Sequence, residues 1–215
     1  MGKIFAIGDI HGCLPKLKAL IPQIAIDSDR DILVFIGDYI DRGPDPKGVV
    51  DFVLDLKRKM RTVVCLKGNH EEMFLDYLCH GRDREIYLLN GGDATIASYG
   101  YRETAAGMQI NVPDSHRDFF HSLFLWYETD EYIFVHAGLR DGVLLEDQDA
   151  HDLLWVRYTF IRSSYDFGKT VVFGHTPVSH GDPLFLPGRI GIDTGAVYGG
   201  PLTCVELPSR KIFQA

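Results

Sequence analysis

Ile32-Leu33-Val34-Phe35-Ile36-Gly37-Asp38-Tyr39-Ile40-Asp41-Arg42-Gly43 is a run of five apolar side chains that stops at a glycine and an aspartate. A short apolar run bounded by glycine reads as a buried strand. The same figure recurs on either side. Lys3 to Ile7 stops at Gly8-Asp9, and Thr62 to Leu66 ends at Gly68-Asn69. Between the runs, Leu14, Leu17, Leu20, Ile21 and Ile24 fall at helical spacing. Pro15 stands near the start of that segment, where no intrahelical N–H is needed. Pro46 to Leu56 predicts a second helix and Glu71 to Leu78 a third. Strand and helix alternating three times means α/β, with right-handed crossovers and a mainly parallel sheet. Ligands bind such sheets at the carboxyl ends of the strands, so three polar loops converge on one edge.

Farther along, Gly81 to Ser122 is more helical and polar, broken at Asn90-Gly91-Gly92, and reads as a cap-like insertion. Strand signals then dominate. Tyr132 to Val135 ends at His136, and Thr170 to Phe173 ends at Gly174-His175. Leu184 to Leu186, Ile190 to Ile192 and Thr203 to Leu207 follow, separated by glycine and proline, and predict a second sheet with hairpins. With no low-complexity tract or repeat, residues 1–215 are expected to form a single domain.

Composition narrows the class. The 215 residues are 46% hydrophobic and 24% charged, ordinary for a globular protein. A net charge of -8 repels nucleic acid and anionic membranes. No run of about 20 apolar residues is present, so no membrane span is expected. Met1-Gly2 lacks Ser or Thr at position 6, where Ala6 stands, and so does not make a myristoylation start. Cys13, Cys65, Cys79 and Cys204 form no CxxC pair and match no disulfide framework, which suits reduced thiols in the cytoplasm.

The chemistry sits just past the strands. The first loop offers Asp9 and His11, the second Asp38, Asp41 and Arg42, the third Asn69, His70 and Glu71; later strands offer His136 and His175. A lone Asp or His at a strand end is ordinarily a cap or a turn residue. Five strand ends in one chain, each followed by a possible ligand, are hard to explain as turns. Hard oxygen donors mixed with imidazole suit Mn, Fe or Zn, and the number of donors suffices for two ions.

Gly8-Asp9-Ile10-His11-Gly12, Gly37-Asp38-Tyr39-Ile40-Asp41-Arg42-Gly43, Gly68-Asn69-His70-Glu71 and His136-Ala137-Gly138 resemble, in order, the motifs of the phosphoprotein phosphatase (PPP) family. Gly174-His175 resembles the family's final metal-binding histidine. Ile192-Asp193-Thr194-Gly195 and the compact length look like the bacterial and phage branch of these calcineurin-like metallophosphoesterases. The resemblance implies a β-sandwich of mixed sheets flanked by helices, α/β (α+β mixed) in class, with the metal site at the strand C-terminal ends. It implies that Asp9, His11 and Asp38 hold one divalent ion, and that Asp38, Asn69, His136 and His175 hold the other, with Asp38 bridging. Mn is the expected metal, with Fe or Zn able to serve. Arg42 and Arg157 would bind phosphate oxygens, with a further hydrogen bond from Asn69. His70, oriented by Asp41, would be the general acid. The implied reaction is hydrolysis of phosphoserine or phosphothreonine in a phosphorylated protein or peptide, by direct attack of a metal-held hydroxide without a covalent phosphoenzyme.

Plainer roles remain for other residues. His80, His116, His121, His151 and His180 lie outside the motifs and suit surface or cap positions. Arg157 follows the buried-looking Leu153-Leu154-Trp155-Val156, so a structural ion pair competes with phosphate binding. Tyr39 and Glu71 suit supporting roles around the site. Asn90, Gly91 and Gly92 shape either a rim or a simple turn. Two alternatives stand beside the phosphatase. A dinucleoside tetraphosphate hydrolase shares the first and third motifs, but the main bacterial branch has alanine where Asp41 stands here and aspartate where Glu71 stands. A catalytically dead scaffold would be marked by a lost ligand, and none is missing.

Overall fold

Strands β1 (Ile4–Ile7), β2 (Ile32–Phe35) and β3 (Val63–Cys65) lie side by side, parallel throughout. Their side chains alternate, yet both faces are apolar. Phe5, Ile7, Leu33, Phe35 and Cys65 point to a layer of helices, while Ala6, Val34 and Val64 point to a second sheet. A strand covered on both faces reads as a continuous apolar run, which is why these runs were legible. The computed structural model of the chain describes residues 2–81, 83–104, 107–178 and 181–215.

The first sheet is completed by β11 (Thr203–Leu207) and β12 (Lys211–Gln214), in the order β12-β11-β1-β2-β3. β11 runs antiparallel to β1, so the mainly parallel sheet expected from the first half is mixed. The second sheet has the order β6-β7-β8-β10-β9, from β6 (Trp126–Glu128), β7 (Tyr132–Val135), β8 (Thr170–Phe173), β9 (Leu184–Leu186) and β10 (Arg189–Gly191). Ala6, Val34, Ile36, Phe134, Val172, Ile190 and Val205 form the core between the sheets. The result is the β-sandwich of mixed sheets flanked by helices.

Helices α1 (Leu14–Leu20), α2 (Pro46–Lys59) and α3 (Asn69–His80) cover the first sheet. α1 stops short of the expected Ile24 because Pro22 has no N–H to continue it, and a 3-10 turn over Ile21–Gln23 follows. α3 starts at Asn69, earlier than expected, because the Glu71 carboxylate reaches back to the Gly68 N–H at 2.9 Å. Residues 81–122 carry α4 (Arg84–Leu89), α5 (Gly92–Tyr99), a two-stranded ribbon of β4 (Tyr101–Thr104) and β5 (Gly107–Ile110), and α6 (Asp114–His121). The ribbon departs from the helical reading. All four β4 side chains are exposed, so it shows no apolar alternation. Tyr87, Ile96, Tyr99, Phe119 and Phe120 of this segment share one apolar cluster with Phe5 and Phe35. α7 (Ala150–Trp155) and α8 (Tyr158–Ile161) cover the second sheet. Among the described residues, no helix is long and apolar enough to cross a membrane.

Candidate metal centre and active site

The loop after β1 presents Asp9 and His11, the loop after β2 presents Asp38, Asp41 and Arg42, and the first turn of α3 presents Asn69 and His70. His136 follows β7 and His175 follows β8. Asp9, His11, Asp38, Asp41, Asn69, His70, His136 and His175 are all buried. Holding these loops at one edge bends the backbone. Seven non-glycine residues with positive φ are described, and five of them, His11, Asp38, Asp41, Arg42 and His175, belong to this cluster. Such conformations cost of order 1 kcal/mol or more each and persist only where the surroundings enforce them.

Two groups of potential metal-ligating atoms, each with mutual distances within 4.8 Å, share Asp38: His11, Asp38 and His70, and Asp38, His136 and His175. His11 Nδ1–H donates to the Ile40 carbonyl at 2.9 Å, and His136 Nδ1–H to the Ile36 carbonyl at 3.1 Å. These bonds fix the tautomers and leave both Nε2 lone pairs facing inward. His136 Nε2 then faces Asn69 Oδ1 at 3.0 Å and Asp38 Oδ1 at 3.5 Å. These are contacts between acceptors, which a cation between them would make favourable. Asp9 Oδ1 and His175 Nε2 are buried with no hydrogen-bond partner. The donor set of carboxylate, amide oxygen and neutral imidazole fits divalent cations.

Charge agrees with that fit. Burial lowers the His11 imidazole to about 3, and burial together with His136 lowers His175 to about 2. Both are therefore neutral, the form that ligates metal. Burial, Asp193 and Asp38 hold the Asp9 carboxyl well above the usual range. Burial opposes ionisation of Asp38, but His136, His70, His11 and His175 outweigh it and lower its carboxyl. A carboxylate network this buried is short of positive charge, and cations supply it.

His70 differs from the other histidines. Burial disfavours its charged form, yet Asp38 and the hydrogen-bonded Asp41 hold its imidazolium above the ordinary range. Asp41 Oδ2 accepts from His70 Nδ1 at 2.6 Å, and Asp41 Oδ1 accepts from the Tyr87 hydroxyl at 2.9 Å and from Thr95 Oγ1 at 2.5 Å. The Asp41 N–H donates to Thr95 Oγ1 at 2.9 Å. The Glu71 carboxylate ties down the β2 loop, accepting N–H groups of Asp38 and Tyr39 at 2.9 Å each.

Arg42 donates to His11 Nε2 at 2.8 Å, and its guanidinium lies 5.7 Å from the Tyr198 ring. Arg157 is exposed, and its charge helps depress His136 and His175. Among the described residues it enters no salt bridge, so the structural ion pair that competed with phosphate binding is not seen. Of the histidines outside the motifs, His116 is buried and bonded to Tyr99 and Asp51 at 2.7 and 3.0 Å; His180 lies outside the described residues. Sequence reasoning missed Tyr87, Thr95 and Tyr198, which no local motif marks. It also gave no role to Asp193, whose carboxyl burial pushes up to about 6.

The sequence profile of the calcineurin-like phosphoesterases matches residues 2–202. An asymmetrical bis(5'-nucleosyl)-tetraphosphatase, PrpE, of Oceanobacillus iheyensis is 28% identical over 234 residues, covering 97% of this chain and 90% of that protein. Serine/threonine-protein phosphatase 1 of Salmonella typhimurium is 29% identical over 208 residues, covering 95% and 91%. A solved structure of a protein provisionally described as a diadenosine tetraphosphatase superposes with a TM-score of 0.77 at 22% identity, covering 100% of this chain and 93% of that one. That likeness establishes the fold.

Proposed function

The chain belongs to the calcineurin-like phosphoesterase family, and from that premise we propose that it is a serine/threonine protein phosphatase acting on phosphoserine and phosphothreonine of protein or peptide substrates. Phosphoesterase hydrolase activity comes with the family; the phosphoprotein substrate is our reading. The observation that supports it is the His70–Asp41 pair, a buried imidazole beside the metal-ligating cluster whose charged form Asp38 and the hydrogen-bonded Asp41 favour against burial. A departing seryl alkoxide is strongly basic and needs a proton, whereas a departing nucleotide phosphate scarcely does.

Asp9, His11 and Asp38 would hold one cation, and Asp38, Asn69, His136 and His175 the second, with Asp38 shared. Mn, with Fe or Zn as substitutes, suits these oxygen and nitrogen donors. When bound, two such ions supply an activated water and neutralise charge on the phosphoryl oxygens. The chain's own groups do the rest. The Arg42 and Arg157 guanidiniums match phosphate oxygens in a planar fork, and the Asn69 amide adds a hydrogen bond. His70 Nδ1 is committed to Asp41, so Nε2 is the atom that gives a proton to the leaving oxygen. Cytoplasmic residence belongs to the same proposal and is supported by four free cysteines.

A second reading, an asymmetrical dinucleoside tetraphosphatase, is favoured by the similarity to PrpE of Oceanobacillus iheyensis. Catalytic efficiencies on phosphopeptides, p-nitrophenyl phosphate and diadenosine tetraphosphate, measured with added Mn, separate the two. Phosphopeptides ranking first supports the phosphatase; diadenosine tetraphosphate ranking first overturns it.

A further inference from the structure

Beside the catalytic edge lies a cavity of about 250 Å³ whose walls include Glu72, Met73, Asp76, Asp83, Ile86 and Trp155. It adjoins the centre on two sides. The Trp155 ring meets His175 edge-on at 6.2 Å between centroids, and Tyr87, also in the wall, donates to the Asp41 that orients His70. The wall is fixed: Trp155 Nε1–H donates to Glu72 Oε2 at 3.0 Å, and the His151 ring stacks on Trp155 at 6.0 Å. Ile86 in the wall is 53% exposed, so apolar surface is presented to solvent at the opening.

The charge of this cavity is opposite to that of the phosphate end. Glu72, Asp76 and Asp83 bring three carboxylates, and among the described residues none of them is paired with a lysine or arginine. Neither Arg42 nor Arg157, the groups proposed to bind phosphate, is part of its wall. A ligand bridging the two must carry an anion at one end and a cation a few bonds or residues away. An unbranched cationic side chain can lay its methylenes on Met73, Ile86 and Trp155 and keep its charge at the carboxylates, with the Trp155 face adding a cation–π attraction. The polyphosphate chain of a dinucleotide meets only repulsion there.

We propose that this cavity is a specificity pocket for a lysine or arginine flanking the phosphorylated residue, so that the preferred substrates are phosphopeptides with a basic neighbour. The inference rests on the phosphatase reading and narrows its substrate class. Partly exposed ion pairs contribute modestly, so the preference for a lysine-flanked over an otherwise identical alanine-flanked phosphopeptide should be roughly three- to tenfold in kcat/KM. It should shrink with added salt.

The test uses three phosphopeptides alike except for lysine, alanine or glutamate beside the phosphoserine, with diadenosine tetraphosphate as a fourth substrate. They are assayed on the metal-loaded wild type and on the Asp76→Asn, Asp83→Asn double variant. The lysine-to-alanine ratio is read within each protein, so a general loss of activity cancels. The expected result is the order lysine, alanine, glutamate in the wild type, with the ratio falling towards one in the variant. Equal turnover of the three peptides, or a ratio unchanged in the variant, overturns the pocket and leaves the phosphatase reading standing. Turnover of diadenosine tetraphosphate with none of any phosphopeptide overturns both.

Discussion

His70 Nδ1 donates to Asp41 Oδ2 at 2.6 Å, between two side chains that are 1% and 0% exposed. A charge-assisted bond in so dry a place both aims the imidazole and favours its charged form. If His70 Nε2 protonates the leaving oxygen, its loss hurts substrates according to leaving-group basicity. His70→Asn should depress phosphopeptide hydrolysis by about 10²–10⁴-fold while p-nitrophenyl phosphate, with its acidic leaving group, falls far less. Asp41→Asn should show the same bias more mildly, because the imidazole remains. Equal losses on both substrates in metal-replete protein would remove the acid role.

Arg42 depends on a residue far along the chain. Its N–H donates to the Gly91 carbonyl at 2.9 Å, and a Cβ on Gly91 would stand 2.6 Å from Arg42 Cγ. Gly91 also has φ of +91°, where alanine is strained. Gly91→Ala should therefore displace Arg42 and raise KM for phosphopeptides with little change in bound metal. Arg42→Ala should cost on the order of 2–4 kcal/mol in transition-state stabilisation, read from kcat/KM. Metal lost from either variant, measured by elemental analysis, would assign Arg42 to holding the centre together.

The strand ends carrying Asp9, Asp38, His136 and His175 were legible because each follows a run buried on both faces. Two such sets of runs predict two sheets; their packing as a sandwich was implied by the resemblance to the PPP family. The supporting roles read for Glu71 and Asp41 are matched by their hydrogen bonds, but what holds Asp41 was not legible. Tyr87 and Thr95 reach Asp41 from 46 and 54 residues away, and both sit in the segment read as a cap. The left-handed backbones of His11 and His175 contradict local preference, since they are imposed by packing that no short window contains. The edge strands β6 and β12 escaped for a simpler reason: their residues are exposed or only partly buried, and they do not form an apolar run.

Asp38 is shared by both groups of ligating atoms, whereas Asp9 has one oxygen without any partner. Removing the shared carboxylate should be the more damaging change. Asp38→Asn should release both ions, and Asp9→Asn one of the two, at equal free Mn. Two ions retained per Asp38→Asn chain, counted by elemental analysis after desalting, would exclude it as the bridging ligand. The wild type stripped by chelator should lose activity and regain it best with Mn.

Metal loading should also invert the pH dependence of stability. Burial and the Asp38 carboxylate push Glu71 from its ordinary 4.5 up to about 8 in the metal-free chain, and Asp9 is raised in the same sense. A carboxyl whose folded pKa exceeds its unfolded one binds more protons in the folded state. Its contribution is full below the unfolded pKa and is lost as pH rises through the folded one, at up to about 1.4 kcal/mol per pH unit for each group. The metal-free protein should thus lose stability between about pH 5 and pH 8. Divalent cations at Asp38 favour the ionised carboxylates, so the metal-loaded protein should hold or gain stability over that range, and metal uptake should release protons. Scanning calorimetry of the two forms across the window reads the divergence directly. Glu71→Gln removes the titrating group, so the metal-free variant should show a flatter pH dependence than the metal-free wild type. Its Tm should be lower, because an amide has a single acceptor oxygen to offer the N–H groups of Asp38, Tyr39 and Gly68 that the two carboxylate oxygens now share. Parallel pH curves for the metal-free and metal-loaded wild type would show that these carboxylates do not respond to the ions, and would remove the electrostatic account of the centre.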